Sequence, residues 1–484
     1  MPKTIIPPEI EAEMTPAVKA FVLAMFEQFE KRIEELEKQV AILSGKDPKA
    51  TPINSSLPGS LVHPHDDKNK IKNRRIKTGK RRGGQKGHKK HSRELVPVEQ
   101  CNEVIVCQPQ ACRRCGGTVK QTDVHPRRHQ VWEIPPIVPV IVEYQLFTGR
   151  CACCGITTQA ELPQGVPRGQ CGPRLAAFTG LLMGHFRQSR RRAAAFISDL
   201  LNVPCSAAWT VKIQNRVSEA LEQPYNDLKS QLSAQRQLFV DESPTKQGND
   251  KAWTWVAVAS AFTVFGIFLS RGRESLKALV GNYSGIIINC DRAKMYLDGK
   301  TLQWCWAHLK RDIQKLIDYQ DNQVKRLGHD LMRQEKRLFH LWWRHKSGEL
   351  KWRTFQRHVL PIKKEFNSLL IRGKFSGNPK LVGFCEELLS HRDWLWTFTN
   401  IQGIEPTNNE AERSLRPAVI HRKLTFGTQS DAGSRFLERI MTVTETCRRQ
   451  KRSSFDYLVD AISAHFHKNE APSLVPKNPN AQAA

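Results

Sequence analysis

The run Leu238-Phe239-Val240-Asp241 begins the part of the chain in which the apolar residues change from helical to strand-like spacing. Strand-like runs follow at 253–258, 263–268 and 285–290, and a short helical pattern covers 274–280. The order of elements is therefore βββαβ. It predicts an α/β core in which helices pack against a mixed sheet.

Two of these runs end in an aspartate, Asp241 and Asp291. The βββαβ order opens a ribonuclease-H-like sheet, in which the first and fourth strands are neighbours. The two aspartates are 50 residues apart in the sequence, but they would then lie at one edge of the sheet. Carboxylates placed in this way hold hard divalent cations such as Mg2+. Glu242 is easily confused with a ligand, but strand alternation directs it to the opposite face.

A third acid is expected on a helix later in the chain. Asn408 or Asn409 can cap a helix that begins there, which places Glu412 in its first turn. Glu405 and Glu410 lie in the same short stretch, and Glu410 remains the alternative to Glu412. Three carboxylates of this kind support phosphoryl transfer on nucleic acid.

The composition agrees with a nucleic-acid partner. Among 484 residues there are 75 Lys and Arg against 47 Asp and Glu, which gives a net charge of +28. A charge of this sign attracts polyanions. No apolar run approaches the roughly 18 residues of a membrane-spanning helix, and the N-terminus lacks the apolar stretch of a signal peptide. We therefore expect a cytoplasmic, nucleoid-associated protein with several domains and no membrane partner.

The N-terminal segments predict self-association and phosphate binding. Apolar residues from Val18 to Leu43 repeat at three- and four-residue spacings, which is typical of a short coiled coil, although a helix packed on its own domain is the alternative. Between Lys68 and His91 there are 12 Lys or Arg and no acid, so this arm is expected to contact DNA phosphates. The DNA-binding residues expected there are Lys80, Arg81, Arg82, Lys86, Lys89 and Lys90.

Two cysteine knuckles indicate a structural zinc ribbon. Each is a Cys-x-x-Cys pair followed by a glycine that lets the backbone turn beneath the sulfurs, and the ligands expected are Cys112, Cys115, Cys151 and Cys154. Cys153 would be a spare thiol, and Cys101, Cys107 and His125 have no assigned place. The stretch 131–147, rich in Val, Ile and Pro, is expected to supply strands.

Two other regions have helical patterns. Residues 197–217 resemble a helix-turn-helix in which Ser206 caps the second helix, although a plain helical hairpin explains the pattern almost as well. Tryptophans occur among basic helical runs between 310 and 399, and their size favours a packed core over base stacking. Cys305 and His308 form a Cys-x-x-His pair that either binds metal or packs, and the sequence leaves both readings open.

Several motifs together resemble the insertion-sequence-66 transposase family. They are Phe239-Val240-Asp241-Glu242-Ser243, Asp291 with Tyr296, Cys305-Trp306-Ala307-His308-Leu309-Lys310-Arg311, Asn408 to Pro417, Phe426 to Gly433, Gly83 to His88 and both knuckles. The resemblance implies a DDE transposase whose acids are Asp241, Asp291 and Glu412. It also implies two Mg2+ ions, for which Mn2+ can substitute, a structural Zn2+, DNA ends and target DNA as substrates, a homodimer or higher oligomer, and accessory transposition proteins.

The expected organisation is multidomain α+β: a coiled-coil helix (1–45), a linker and basic arm (46–95), a zinc ribbon (96–164), a helical domain (165–235), a ribonuclease-H-like core in two parts (236–309 and 400–470), a helical insertion (310–399) and a disordered tail (471–484). Two other function classes stay open. One is an inactive or domesticated DNA-binding protein. The other is a ribonuclease-H-like nuclease or resolvase that hydrolyses DNA without strand transfer.

Overall fold

The computed structural model describes residues 14–33 (except 19, 23 and 30), 87, 93–120, 126–297 and 301–476. The chain divides into two compact units, which are His63–Val140 and the combination of Met1–Val62 with Ile141–Ala484. The six arm residues expected to bind DNA, and Leu36 to Leu43 of the expected coiled coil, lie outside the described residues.

A five-stranded mixed sheet forms the centre of the larger unit. Its strands are β3 (Gln237–Gln247), β4 (Asp250–Val258), β5 (Thr263–Phe268), β6 (Ile287–Cys290) and β7 (Thr301–Trp304), after a separate hairpin of β1 (Thr148–Arg150) and β2 (Thr157–Gln159). The order is β5-β4-β3-β6-β7, with β4 antiparallel to both neighbours and the β3–β6 and β6–β7 pairs parallel. The predicted adjacency of the first and fourth strands of this sheet is confirmed.

Helices pack against this sheet and make up most of the insertion at 310–399. They are α1 (Pro173–Met183), α2 (Arg190–Leu201), α3 (Ala207–Ala220), α4 (Glu222–Ser230), α5 (Arg273–Val280), α6 (Trp306–Ile317), α7 (Asn322–Lys346), α8 (Trp352–Lys374), α9 (Pro379–Ser390), α10 (Arg392–Leu395), α11 (Thr397–Asn400), α12 (Asn409–Thr425), α13 (Asp431–Arg449) and α14 (Ser454–Phe466). Within the described part of the chain, none of the helices combines the length and apolar character needed to cross a membrane.

Side chains of α13 accept hydrogen bonds from the backbone of β5, the outer strand of the sheet. On β5, the backbone N–H groups of alternate residues donate to Thr446, Thr442 and Glu438, with Thr263 N to Thr446 Oγ1 at 3.2 Å and Phe265 N to Thr442 Oγ1 at 3.0 Å. An uncovered edge strand would leave these donors available for pairing with another chain. Helix α13 therefore closes the sheet on the side away from β6.

The helical predictions agree with the structure in two regions. Ser206 accepts a hydrogen bond from Trp209 N at 3.1 Å and begins α3, as expected for the second helix of the predicted pair. Residues 310–399 are largely helical, and Trp342 and Trp396 are buried among aromatic neighbours, whereas Trp343 is exposed. These rings mostly form the core of the insertion.

The prediction of strands in residues 131–147 is wrong, because none of these residues lies in a strand. Pro135, Pro136 and Pro139 lack the N–H donors that a ladder requires. The ordered hairpin of β1 and β2 instead flanks the second knuckle. In the N-terminal helix, described between 16 and 33, the apolar positions Val18, Met25, Phe29 and Ile33 are exposed.

Candidate functional site

Strand register brings Asp241 and Asp291 to the same level of the sheet. Strands β3 and β6 are parallel, and their last paired residues are Phe239 and Asn289. Each aspartate lies two residues beyond its member of this pair. Because alternate residues of a strand share a face, the two aspartates follow the end of the β3–β6 pairing at equivalent positions. The expected proximity is supported, because Asp291 raises the pKa of Asp241. The prediction that Asp241 ends its strand is wrong, since β3 continues to Gln247 through its pairing with β4.

The electrostatics of this edge are dominated by negative charge. Burial raises the pKa of Asp241 well above its usual value, and the carboxylates of Glu242, Asp291 and Glu412 raise it further. Burial also raises the pKa of Asp291. Each carboxylate accepts a local backbone hydrogen bond, from Glu242 N at 3.0 Å and from Ala293 N at 2.9 Å. Arg271 and Arg292 lower the pKa of Asp291, but burial outweighs them.

Glu242 has a different environment from Asp241. Its carboxylate accepts hydrogen bonds from Arg271 Nε at 2.9 Å and from the Tyr296 hydroxyl. Its side chain is only 2% exposed, and burial raises its pKa although Arg271 and Tyr296 oppose that shift. Arg271 also lies over the Trp253 ring, 4.9 Å from its centroid. Glu242 is thus held by Arg271 and Tyr296, and Asp291 also raises its pKa, so it borders the acidic cluster.

Helix α12 carries Glu412 toward the two aspartates. Its N-cap residue is Asn408, and Glu412 N donates to Asn408 O at 3.2 Å. The expected side-chain cap does not form, because Asn408 Nδ2 donates to Val240 O at 2.8 Å instead. Asn289 Nδ2 holds the preceding loop by donating to Glu405 O at 2.7 Å. Two buried amides therefore fix the start of α12 against β3 and β6.

Glu412 lies in a cluster with residues of α6. Arg311 Nη2 donates to Glu412 Oε1 at 3.1 Å, and His308 Nδ1 is 3.5 Å from the same oxygen. Among the described residues, one group of His, Cys, Asp or Glu side chains has ligand atoms that all lie within 4.8 Å of one another: Cys305, His308 and Glu412. Burial, Arg311 and Arg292 lower the pKa of His308 to about 3, so the imidazole is neutral.

The rival acids are paired elsewhere. Glu410 contacts Arg413 and accepts from Arg449 Nη2 at 3.0 Å. Glu405 accepts from Lys346 Nζ at 2.7 Å. Glu412, in contrast, is one of the carboxylates that raise the pKa of Asp241. The geometry therefore favours Glu412 over Glu410 as the third member of the cluster.

The carboxylate cluster has the chemistry of a hard divalent cation site. Asp241 and Asp291 are mostly buried, they repel each other, and the nearby cations are engaged elsewhere: Arg271 with Glu242, and Arg292 with Asp312 and Glu387. A divalent cation bound by carboxylate oxygens would relieve this repulsion. The residues present therefore fit a hard divalent cation.

The two cysteine knuckles have the same local geometry, each described within its own unit. In one, Gly116 N donates to Cys112 O at 2.9 Å and Gly116 has φ +74°. In the other, Gly155 N donates to Cys151 O at 2.9 Å and Gly155 has φ +69°. Backbone hydrogen bonds lower the pKa of the Cys112 and Cys151 thiols. Thiols with lowered pKa values in tight turns suit zinc.

Sequence reasoning missed the roles of Arg271, Asn289 and Arg311 in supporting the acids. Asn289 had a visible signal, because it is a single amide inside the apolar run that ends at Cys290. Arg271 had none, since its partner Glu242 lies 29 positions away.

Comparison with known proteins identifies related sequences. The sequence family described as "Transposase IS66 family" matches residues 168–435, which is more than half of the chain. A protein of Sinorhizobium fredii, "Uncharacterized protein y4qI", is 22% identical over 427 residues, which cover 79% of this chain and 76% of that protein. The family match contains Asp241, Asp291 and Glu412, and it begins after both knuckles.

Proposed function

Because this chain belongs to the transposase IS66 family, we propose that it catalyses metal-dependent strand cleavage and strand transfer of DNA at the ends of an insertion sequence. The observation that carries the proposal is the placement of Asp241 and Asp291 just beyond the pairing of two parallel strands, with Glu412 on a helix near enough to raise the pKa of Asp241. Such a cluster is the arrangement that phosphoryl transfer on DNA requires.

In this proposal each acid has a stated task. Asp241 and Asp291 hold the cations from the sheet, and Glu412 closes the site from α12. These residues would hold two Mg2+ ions, or Mn2+ in their place, which would activate a water or a DNA 3′-hydroxyl for attack and stabilise the leaving oxygen. Arg311 fixes the orientation of Glu412 through its hydrogen bond to Oε1. Asn408 and Asn289 keep α12 in register with the strands.

DNA is the proposed substrate and partner. The net charge of +28 supports binding of a polyanion, and the arm residues Lys80, Arg81, Arg82, Lys86, Lys89 and Lys90 are proposed to contact phosphates without reading sequence. The exposed apolar positions of the N-terminal helix support self-association as a dimer or higher oligomer. Accessory transposition proteins are a further expectation of the family resemblance.

A structural zinc ion is proposed for Cys112, Cys115, Cys151 and Cys154. The supporting observations are the matched turns and the lowered pKa values of the first thiol in each knuckle. Elemental analysis of the purified chain tests this proposal. Cys112→Ser should lower the bound zinc per chain, while Cys107→Ser, which removes an exposed thiol outside the knuckles, should not. Equal zinc in the Cys112→Ser protein would refute the assignment.

The catalytic proposal is tested with the full chain and duplexes copied from the flanks of its gene. Asp241→Asn should abolish Mg2+-dependent cleavage and retain DNA binding, and Glu412→Gln should do the same. Glu410→Gln changes an acid on the same helix and should cleave normally. Normal cleavage by Asp241→Asn would show that the site is assigned wrongly. Joining of the cleaved end to a second DNA separates a transposase from a nuclease or resolvase.

A further inference from the structure

Phe426 is an aromatic residue held exposed in an unfavourable backbone conformation. It follows the last residue of α12 with φ +62° and ψ +16°, and it is 79% exposed. Residues with a Cβ disfavour this left-handed region, and glycine or asparagine usually occupies this capping position. Backbone strain at a residue whose ring contacts so little of its own protein indicates that the ring binds another molecule.

The turn that presents Phe426 is firmly anchored. Phe426 N donates to Arg422 O at 2.7 Å, and Thr428 N donates to Lys246 O at 2.9 Å. Gly427 has φ +110°, and a Cβ there would approach Lys246 O within 2.4 Å. The ring therefore projects from a fixed support on β3, so that a ligand would meet a prepositioned surface.

The exposed face of α12 leads from Glu412 to this ring. Arg413, Arg416, Ile420, Lys423 and Leu424 are exposed at helical spacing along it. Arg413 contacts Glu410 at the start of the helix, and the sequence beyond Arg413 has no Asp or Glu until Asp431. At about 1.5 Å per residue, Phe426 lies on the order of 20 Å along the helix from Glu412. We call this face, from Arg413 to Phe426, the α12 track.

We infer that the α12 track binds DNA, with its cations on the phosphates of one strand and the Phe426 ring stacked on an unpaired base. This inference rests on the proposed function and extends it to a base-contacting residue. Arginine and lysine followed by an exposed aromatic ring match the alternation of phosphate and base along a nucleic-acid strand. Stacking on a ring face tolerates any base, so Phe426 adds affinity without sequence preference.

The experiment compares Phe426→Asn, Phe426→Trp and Phe375→Asn in the full chain. Asparagine tolerates the left-handed conformation, so Phe426→Asn should fold at least as stably as the unchanged chain. Phe375 is 78% exposed at the end of α8 with φ −98° and is the matched control. The probes are a blunt duplex and the same duplex with an unpaired end, each labelled with 2-aminopurine.

Phe426→Asn should bind the duplex with the unpaired end about 5- to 100-fold more weakly and lose the change in 2-aminopurine emission. Phe426→Trp should retain both, and Phe375→Asn should behave as the unchanged chain. Equal affinity of Phe426→Asn and the unchanged chain would overturn the inference. It would also be overturned if sedimentation showed that Phe426→Asn only dissociates an oligomer, since the track would then cover a second copy. Failure of the unchanged chain to cleave DNA would instead refute the proposed function.

Discussion

Asn408 Nδ2 donates to the carbonyl oxygen of Val240 at 2.8 Å, and this hydrogen bond joins two otherwise distant parts of the site. Val240 immediately precedes Asp241, and Asn408 begins the helix that carries Glu412. The bond is fully buried, and Asn408 N also donates to Cys305 Sγ at 3.1 Å. One amide therefore sets the distance between a strand carboxylate and a helix carboxylate that are far apart in sequence.

Asn408→Ala should destabilise the protein and impair cleavage together. The substitution leaves the buried Val240 carbonyl without its side-chain donor, which costs about 1–3 kcal/mol. The start of α12 would also lose its tie to β3, so cleavage should fall by more than the folded fraction does. Urea unfolding and cleavage assays on the same preparation measure the two effects.

Asn378→Ala is the matched control for that change. Asn378 caps α9 by accepting from Lys380 N and Leu381 N, and losing such a cap costs about 1 kcal/mol. The loss of stability should be comparable, with cleavage by the folded protein unchanged. Equal losses of activity in both variants would mean that Asn408 acts on stability alone.

The sequence carried enough information to predict that Asp241 and Asp291 follow neighbouring apolar strand segments, because apolar runs mark the strands and their order implies which are neighbours. It did not show that β3 continues past Asp241 to Gln247, because the polar residues after Asp241 lack the apolar pattern of a buried strand. It also predicted that Glu412 would lie in the first turn of a helix. It could not predict what Asn408 does, since a local cap and a bond to Val240, 168 positions away, use the same side chain. The same limit explains the missed Arg271–Glu242 contact.

Mg2+ should stabilise the folded chain, and Asp241→Asn should remove that effect. Burial is the largest cause of the raised pKa values of Asp241 and Asp291. Without metal, the contribution of these two carboxyls to folding stability is therefore present below the unfolded pKa near 4 and is lost as the pH rises through the folded pKa values. A bound cation at about 100 times its Kd adds about 2.7 kcal/mol. Thermal unfolding at neutral pH with and without Mg2+ measures the shift.

The matched control for this prediction is Asp250→Asn, which changes an exposed acid at the start of β4. This variant should keep the full Mg2+-dependent rise in unfolding temperature. Without metal, Asp241→Asn should be more stable than the unchanged chain, because the substitution removes one of the repelling charges. An undiminished Mg2+ shift in Asp241→Asn would place the cation elsewhere.

Gly427→Ala should be strongly destabilising, whereas Gly383→Ala should not. The alanine methyl at 427 would meet the Lys246 backbone in a left-handed conformation, which costs about 2 kcal/mol or more. Gly383 lies inside α9 with open space around its Cβ position, so alanine there should stabilise by up to about 1 kcal/mol. Chemical denaturation measures the stability of the two variants. Unchanged stability of Gly427→Ala would contradict the anchored turn.

Glu438→Gln should stabilise the protein at neutral and alkaline pH but have little effect in acid. Burial raises the pKa of Glu438 to about 7 although Arg435 opposes the shift. A raised pKa means that its contribution to stability is complete below the unfolded value near 4 and is lost as the pH rises through about 7. Glutamine keeps an acceptor for Ile267 N without the charge. The free energy of unfolding should therefore be on the order of 2 kcal/mol higher in the variant at pH 8 and similar at pH 5. Glu349→Gln, which removes an exposed partner of Arg344, should follow the unchanged chain at both pH values. Other buried acids titrate in both proteins, so the difference in free energy of unfolding between the variant and the unchanged chain isolates Glu438. If that difference did not vary with pH, this carboxyl would not be protonated in the folded protein.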